Sequence, residues 1–169
     1  MRISEGLLQE LEPEAQTTRR VLERVPQEHL EWRPHPKAMT LGQLARHVAT
    51  IPGGVASAAV PPTMEVPSFP QPSITHVREL LPLLDESVAK AREVLSPMSD
   101  TDMQATWRLM NGQQTVLALP RVAFLRSIML NHWYHHRGQL SVYLRQLGVA
   151  LPSIYGPSAD ENPFLGQPA

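Results

Sequence analysis

The chain has 169 residues, 42% of them apolar, with 15 Lys and Arg against 16 Asp and Glu. That is enough to bury one core without covalent staples, and it lacks the basic excess expected of a nucleic-acid partner. There is no cysteine, which removes disulfides, thiolate zinc sites and a cysteine nucleophile. The first 25 residues mix charges with leucines, and no apolar run approaches the ~20 residues that span a bilayer. A cytoplasmic protein with no membrane partner is the expectation.

Ile3, Leu7, Leu11, Ala15, Thr18, Leu22 and Val25 recur at steps of three and four. They predict a helix over about 3–25, with Pro13 as an internal kink. Residues 27–39 read as a connector containing Trp32, Pro34 and Pro36. Thr40 and Gln43 form a capping box that opens a helix over about 40–59, disturbed near Ile51-Pro52-Gly53-Gly54. Five prolines make residues 61–72 an irregular surface loop. A third helix, about 73–96, carries Val77, Leu81, Leu84, Val88, Ala91 and Leu95 inward, with Pro82 as a defect.

Between Pro97 and Arg121 the period changes. Residues 104–109 and 115–119 flank Asn111-Gly112, which predicts a small β-hairpin. Pro120 then suits the first turn of a last helix, about 120–147, ending at Gly148 as a C-cap. Its stripe reads Val122, Leu125, Met129, His132, His136, Leu140, Tyr143 and Leu147. The tail, 148–169, reads as irregular. Four long amphipathic segments in one domain, 1–169, predict an all-α four-helix bundle with a hairpin before the last helix.

His132 and His136 are four apart on that helix, so both imidazoles project from one face, one turn apart. His47 lies on the stripe Thr40, Leu44, His47, Ile51 and faces the interior or its edge. Three imidazoles without a fourth protein ligand leave one coordination position open, as in catalytic rather than structural zinc sites. A hydrogen-bonded core histidine is the competing reading, and with seven histidines one such pair arises readily by chance. The glutamate of the helical zinc-protease motif would fall at Trp133, so no built-in base for peptide hydrolysis is present. His135 turns about 100° off the ligand stripe, while His29, His35 and His76 read as solvated. Gln139 and Tyr143 share the metal face, where they could orient a ligand or a substrate. Arg137 is a further candidate for the pocket, or pairs with a carboxylate such as Glu161, as does Arg145.

The block Asn131-His132-Trp133-Tyr134-His135-His136-Arg137-Gly138-Gln139-Leu140 resembles the last-helix signature of the DinB (DinB/YfiT-like) family. So do residues 17–26, Trp32-Arg33-Pro34-His35-Pro36-Lys37, Thr40-Leu41-Gly42-Gln43-Leu44-Ala45-Arg46-His47 and the tail at 155–161. The resemblance implies an up-down-down-up bundle, commonly a homodimer, with a metal ion held by His47, His132 and His136. Nickel and zinc are the leading occupants. Some relatives are transferases that act with a low-molecular-weight thiol, and Pro13 and Pro82 are the visible departures from the pattern.

A metal-dependent thiol transferase acting on a small molecule is therefore the leading expectation, with basic residues at the mouth holding the thiol's carboxylates. A metal-dependent hydrolase and a non-enzymatic metal-binding, stress-associated dimer are the alternatives. No general acid or base is identifiable. Trp133, Tyr134 and His135, bulky and off the metal stripe, suggest a face that a partner subunit covers. Metal affinity is expected to fall as pH drops through ~6.5, the ordinary imidazole value.

Overall fold

In the computed structural model, residues 1–68 and 72–165 are described. The fold is mostly helical with a small three-stranded sheet. Helix α1 spans Ile3–Leu22, α2 Leu41–Ala58, α3 Leu80–Leu95 and the short α4 Asp100–Gln104. Strands β1 (Thr63–Glu65), β2 (Thr106–Asn111) and β3 (Gln114–Pro120) form the sheet. Helix α5 (Arg121–Phe124), a π-helical turn (Leu125–Asn131) and α6 (His132–Gln146) succeed one another with helical backbone angles at both junctions.

The prolines disturb less than expected, and in each case packing explains why. Pro13 lies on the exposed side of α1, so the carbonyl it strands faces water. Leu7, Leu11, Ala15, Thr18 and Leu22 meanwhile stay buried. Pro82 occupies the third position of α3, where an amide needs no intrahelical acceptor; a 3₁₀ turn, Val77–Glu79, precedes it. Pro52 is buried in the middle of α2, which runs on to Ala58. Proline cannot donate to the carbonyl four residues back, that of Val48. The Trp133 indole donates to that carbonyl instead, at 2.8 Å. One residue on, the Gly53 amide donates to the Ser87 hydroxyl at 2.8 Å. Side chains from the last helix and from α3 thus complete the backbone that Pro52 interrupts.

The hairpin forms as expected, β2 antiparallel to β3, with Gly112 at φ +60° in the turn and an irregularity between Leu109 and Met110. The loop expected over 61–72 is corrected in part. Thr63–Glu65 is a strand, paired in parallel with β2 from Thr63–Arg108 to Glu65–Met110. Prolines flank this strand but none falls inside it, so every residue can join the ladder. The rest of that expectation partly falls on residues 69–71, outside the described ones. A short helix, α4, fills the stretch between Pro97 and the hairpin; Ser99 caps it by accepting from the Asp102 amide.

The last helix departs from its predicted stripe. Leu125, Met129 and Leu140 are buried as expected, but the rest of the buried line runs through Trp133, Arg137 and Leu144. The π turn inserts between Phe124 and His132 and rotates α6 about its axis, so the core stripe passes to Trp133 rather than His132. His132 and His136 are left half-buried at the edge of the core. Trp133 is fully buried, and Tyr134 donates its hydroxyl to Glu10 at 2.9 Å. The chain itself covers both rings, so they do not mark a face that needs a partner. Helix α6 ends at Gln146, and Gly148 follows just beyond it at φ +73°.

Candidate metal centre

Helix α2 presents His47 and α6 presents His132 and His136 to a common point. One ring nitrogen from each lies within 4.8 Å of the other two. The rings stand nearly edge to face: His47–His132 centroids are 5.2 Å apart, His47–His136 4.5 Å and His132–His136 4.4 Å. The Trp133–Val48 bond fixes this meeting, because each partner comes immediately after a cluster histidine in sequence. The capping box of Thr40 and Gln43 sets the start of the same helix, with Gln43 accepting from the Thr40 amide at 2.8 Å.

Hydrogen bonding argues against three ordinary core histidines. Gln139 Oε1 lies 2.7 Å from His136 Nδ1. An amide oxygen only accepts, so Nδ1 carries the proton and Nε2 offers its lone pair. That Nε2 is 2.8 Å from His132 Nε2, a separation that two neutral rings bridge with a single proton. His132 Nδ1 is buried with no hydrogen-bond partner. The Ile128 carbonyl lies near enough to favour a charged ring, yet burial outweighs it and lowers the His132 pKa. Burial, and then the charge of neighbouring rings, lowers His47 and His136 from 6.5 to about 4. All three rings are therefore neutral at pH 7, the form that ligates metal. Nitrogens about 2.0–2.1 Å from one ion lie roughly 3 Å apart when at right angles to each other. The spacing and the neutral donors fit one ion taking the place of the shared proton.

The remaining predicted residues separate cleanly. Gln139 supports His136, as its place on the metal face suggests. Tyr143 packs edge-on against Trp32, with centroids 5.5 Å apart. Arg137 corrects the expectation of a pocket group: it is 1% exposed on the α1 side of the helix. There its guanidinium meets Glu14 Oε2 at 2.6 Å and donates to Thr18 Oγ1 at 3.1 Å and the Tyr155 hydroxyl at 2.5 Å. Glu161 pairs with Arg20 and Asp160 with Arg145. His135 is exposed, as are His35 and His76, while His29 is half-buried.

A cavity of about 420 Å³ opens beside His47 and His132. Ile51, Val55 and Ala58 of α2 form one wall. Met64, Leu109 and Leu117 of the sheet form the second, and Phe124 and Ile128 the third. Trp107 closes the floor, stacked on Phe124 at 3.9 Å and bonded to the Ala58 carbonyl at 3.0 Å. Among the described residues no Asp, Glu, Lys or Arg lines it, so the expected basic mouth is not found at this cavity. The hairpin's alternation hints at these apolar walls in sequence, through Trp107 and Leu109 on one strand. Their meeting with α2 depends on contacts distant in the chain.

The DinB family model matches residues 2–163. The uncharacterized protein YrdA of Bacillus subtilis (strain 168) is 30% identical over 156 residues, 91% of this chain and 89% of that one. Among solved structures, a DinB-like protein from Bacillus cereus ATCC 10987 superposes with TM-score 0.71 at 27% identity, over 89% of this chain and 97% of that one. The DinB-like protein YjoA of Bacillus subtilis gives 0.66 at 17% identity, over 88% and 96%, a likeness of fold.

Proposed function

The chain belongs to the DinB family, and on that premise we propose that it binds one divalent metal ion through His47, His132 and His136. The convergence of three neutral imidazoles, two of which line an apolar cavity, carries this reading. Nickel and zinc both suit an all-imidazole set. With three protein ligands, a coordination position is free for a small molecule.

The activity we propose is transfer of a low-molecular-weight thiol to a small electrophile. A divalent ion in this place lowers the pKa of a coordinating thiol and so supplies thiolate at neutral pH. The chain's own part is to hold the donors neutral, to orient His136 through Gln139 and to line the neighbouring space with apolar groups. The lack of a carboxylate among the described lining residues favours this over hydrolysis, which gains from a general base. We further read the long helices as the family's up-down-down-up four-helix bundle and the protein as a homodimer. Light scattering that finds only an 18.9 kDa species at micromolar concentration overturns the dimer.

The decisive experiment uses cobalt-substituted protein. Adding cysteine, glutathione, bacillithiol or mycothiol in turn should, for the correct thiol, add a sulfur-to-metal charge-transfer band. The same thiol should disappear faster when an electrophile is present. His136→Ala should lose both the stoichiometric metal and the band. If every thiol leaves the spectrum unchanged, the transferase reading fails; full metal content in both His132→Ala and His136→Ala sinks the site itself.

A further inference from the structure

Gly54 occupies the interior of α2, where glycine weakens a helix relative to alanine. Neither of the usual reasons for a glycine applies. Its φ is not positive, and a Cβ built there meets no atom within 4 Å. Its neighbour Gly53 is different: a Cβ there would lie 2.7 Å from the Ser87 carbonyl oxygen, so close packing of α2 on α3 requires it. Gly54 instead lies exposed on the rim of the cavity beside His47 and His132, where that cavity meets a shallower groove lined by Ser57, Glu86 and Lys90. What its missing side chain provides is open volume.

The chemistry of that volume is one-sided. Apart from the two imidazoles and the floor indole, the polar side chain among the described lining residues is that of Thr50, which sits one turn from His47. The Thr50 hydroxyl already donates within its own helix, toward the carbonyls of Arg46 and His47 at 3.1 and 3.3 Å. Ile51, Val55, Met64, Leu109, Leu117 and Phe124 offer a ligand body nothing but apolar contact. A charge placed among them would lose part of its hydration without gaining a partner. The volume, about 420 Å³, lies in the range of small-molecule sites.

We infer that the cavity binds an uncharged, apolar molecule, aromatic or branched, with its reactive end toward His47 and His132, and that Gly54 keeps the space for it. This rests on the reading of the histidines as a metal centre only for the direction in which the ligand points. It assigns the electrophile rather than the thiol to the cavity.

The test uses two fluorescent probes with the same ring skeleton, neutral N-phenyl-1-naphthylamine and its sulfonated relative 8-anilinonaphthalene-1-sulfonate. Metal content is measured on the same samples. The neutral probe should bind at least tenfold more tightly than the sulfonate. Gly54→Phe, which fills the space without touching the histidines, should weaken neutral-probe binding at least tenfold while leaving metal content unchanged. Equal binding of the two probes, or unchanged binding in Gly54→Phe, overturns the inference. A metal-free wild-type protein that still prefers the neutral probe and loses it in Gly54→Phe refutes the metal centre and supports the cavity's ligand class.

Discussion

The indole N–H of Trp133 donates to the Val48 carbonyl at 2.8 Å, the one α2 carbonyl that Pro52 cannot serve. One bond thereby mends a proline break and docks α6 on α2 beside His47. Trp133→Phe keeps most of the buried ring but removes the donor. The stranded carbonyl should cost about 1–3 kcal/mol of stability in urea unfolding. Metal affinity should fall with it, because the α2–α6 register sets the distance between His47 and the other two rings. A variant as stable and as tight as the parent would show that water already serves that carbonyl.

Gln139 acts on the site through a single contact, the 2.7 Å bond to His136 Nδ1. It is exposed, so its removal should hardly change stability. Partners that orient a ligating histidine are worth ~10–100-fold in metal affinity. Gln139→Leu should show that loss in a competitive chelator titration, and Gln139→Glu, whose carboxylate can accept the same bond, should restore affinity. If both variants bind like the parent, the contact is incidental.

How far the sequence alone reaches is visible in these same residues. The four-residue spacing of His132 and His136 is local, and so is the capping box that starts the helix of His47; both are legible without tertiary information. The offset of the buried stripe is not, because the π turn at Leu125–Asn131 leaves no mark in the spacing of apolar residues. That offset explains why Trp133 and Arg137 read as surface or pocket groups yet lie in the core. The cavity stays hidden for another reason. Its sheet wall depends on β1, an edge strand amid prolines, pairing with β2 more than forty positions away. Pro52 reads as a break because the groups that repair it, Trp133 and Ser87, come from distant segments.

Acid should destabilise the metal-free fold in a defined window. Burial, and then the neighbouring rings, lower His47 and His136 to about 4, while in the unfolded chain each titrates near 6.5. Between those values the unfolded state binds more protons. Stability is therefore complete above pH ~6.5 and declines as pH falls toward 4. Across pH 7 to 5 the loss should reach roughly 1–3 kcal/mol for the two rings together, once solvent screening of these half-exposed groups is allowed for. His47→Gln should show a shallower decline, read by urea unfolding at each pH. The same depression moves proton competition with metal below the ordinary value. Affinity should hold from pH 7 to about 5.5 and drop toward 4, rather than fall through ~6.5. A flat stability profile from pH 7 to 5 would contradict the burial of these rings.

Gly53 and Gly54 adjoin in one helix yet should answer the same substitution with opposite signs. At Gly53 a methyl group would lie 2.7 Å from the Ser87 carbonyl oxygen and 2.9 Å from its Cα. These are backbone atoms, so α2 and α3 must part, and the bond from the Gly53 amide to the Ser87 hydroxyl must stretch. Forcing a methyl group into such a contact costs about 1–3 kcal/mol. At Gly54 the same methyl meets nothing within 4 Å, and the helix gains about 0.5–1 kcal/mol from the better helix former. For a chain of this length that corresponds to a melting temperature higher by roughly 1–4 °C. Gly53→Ala should melt several degrees below the parent and Gly54→Ala slightly above it. Two destabilised variants would mean that Gly54 also has a packing duty, and the case for a glycine that holds open a ligand's place would fail with it.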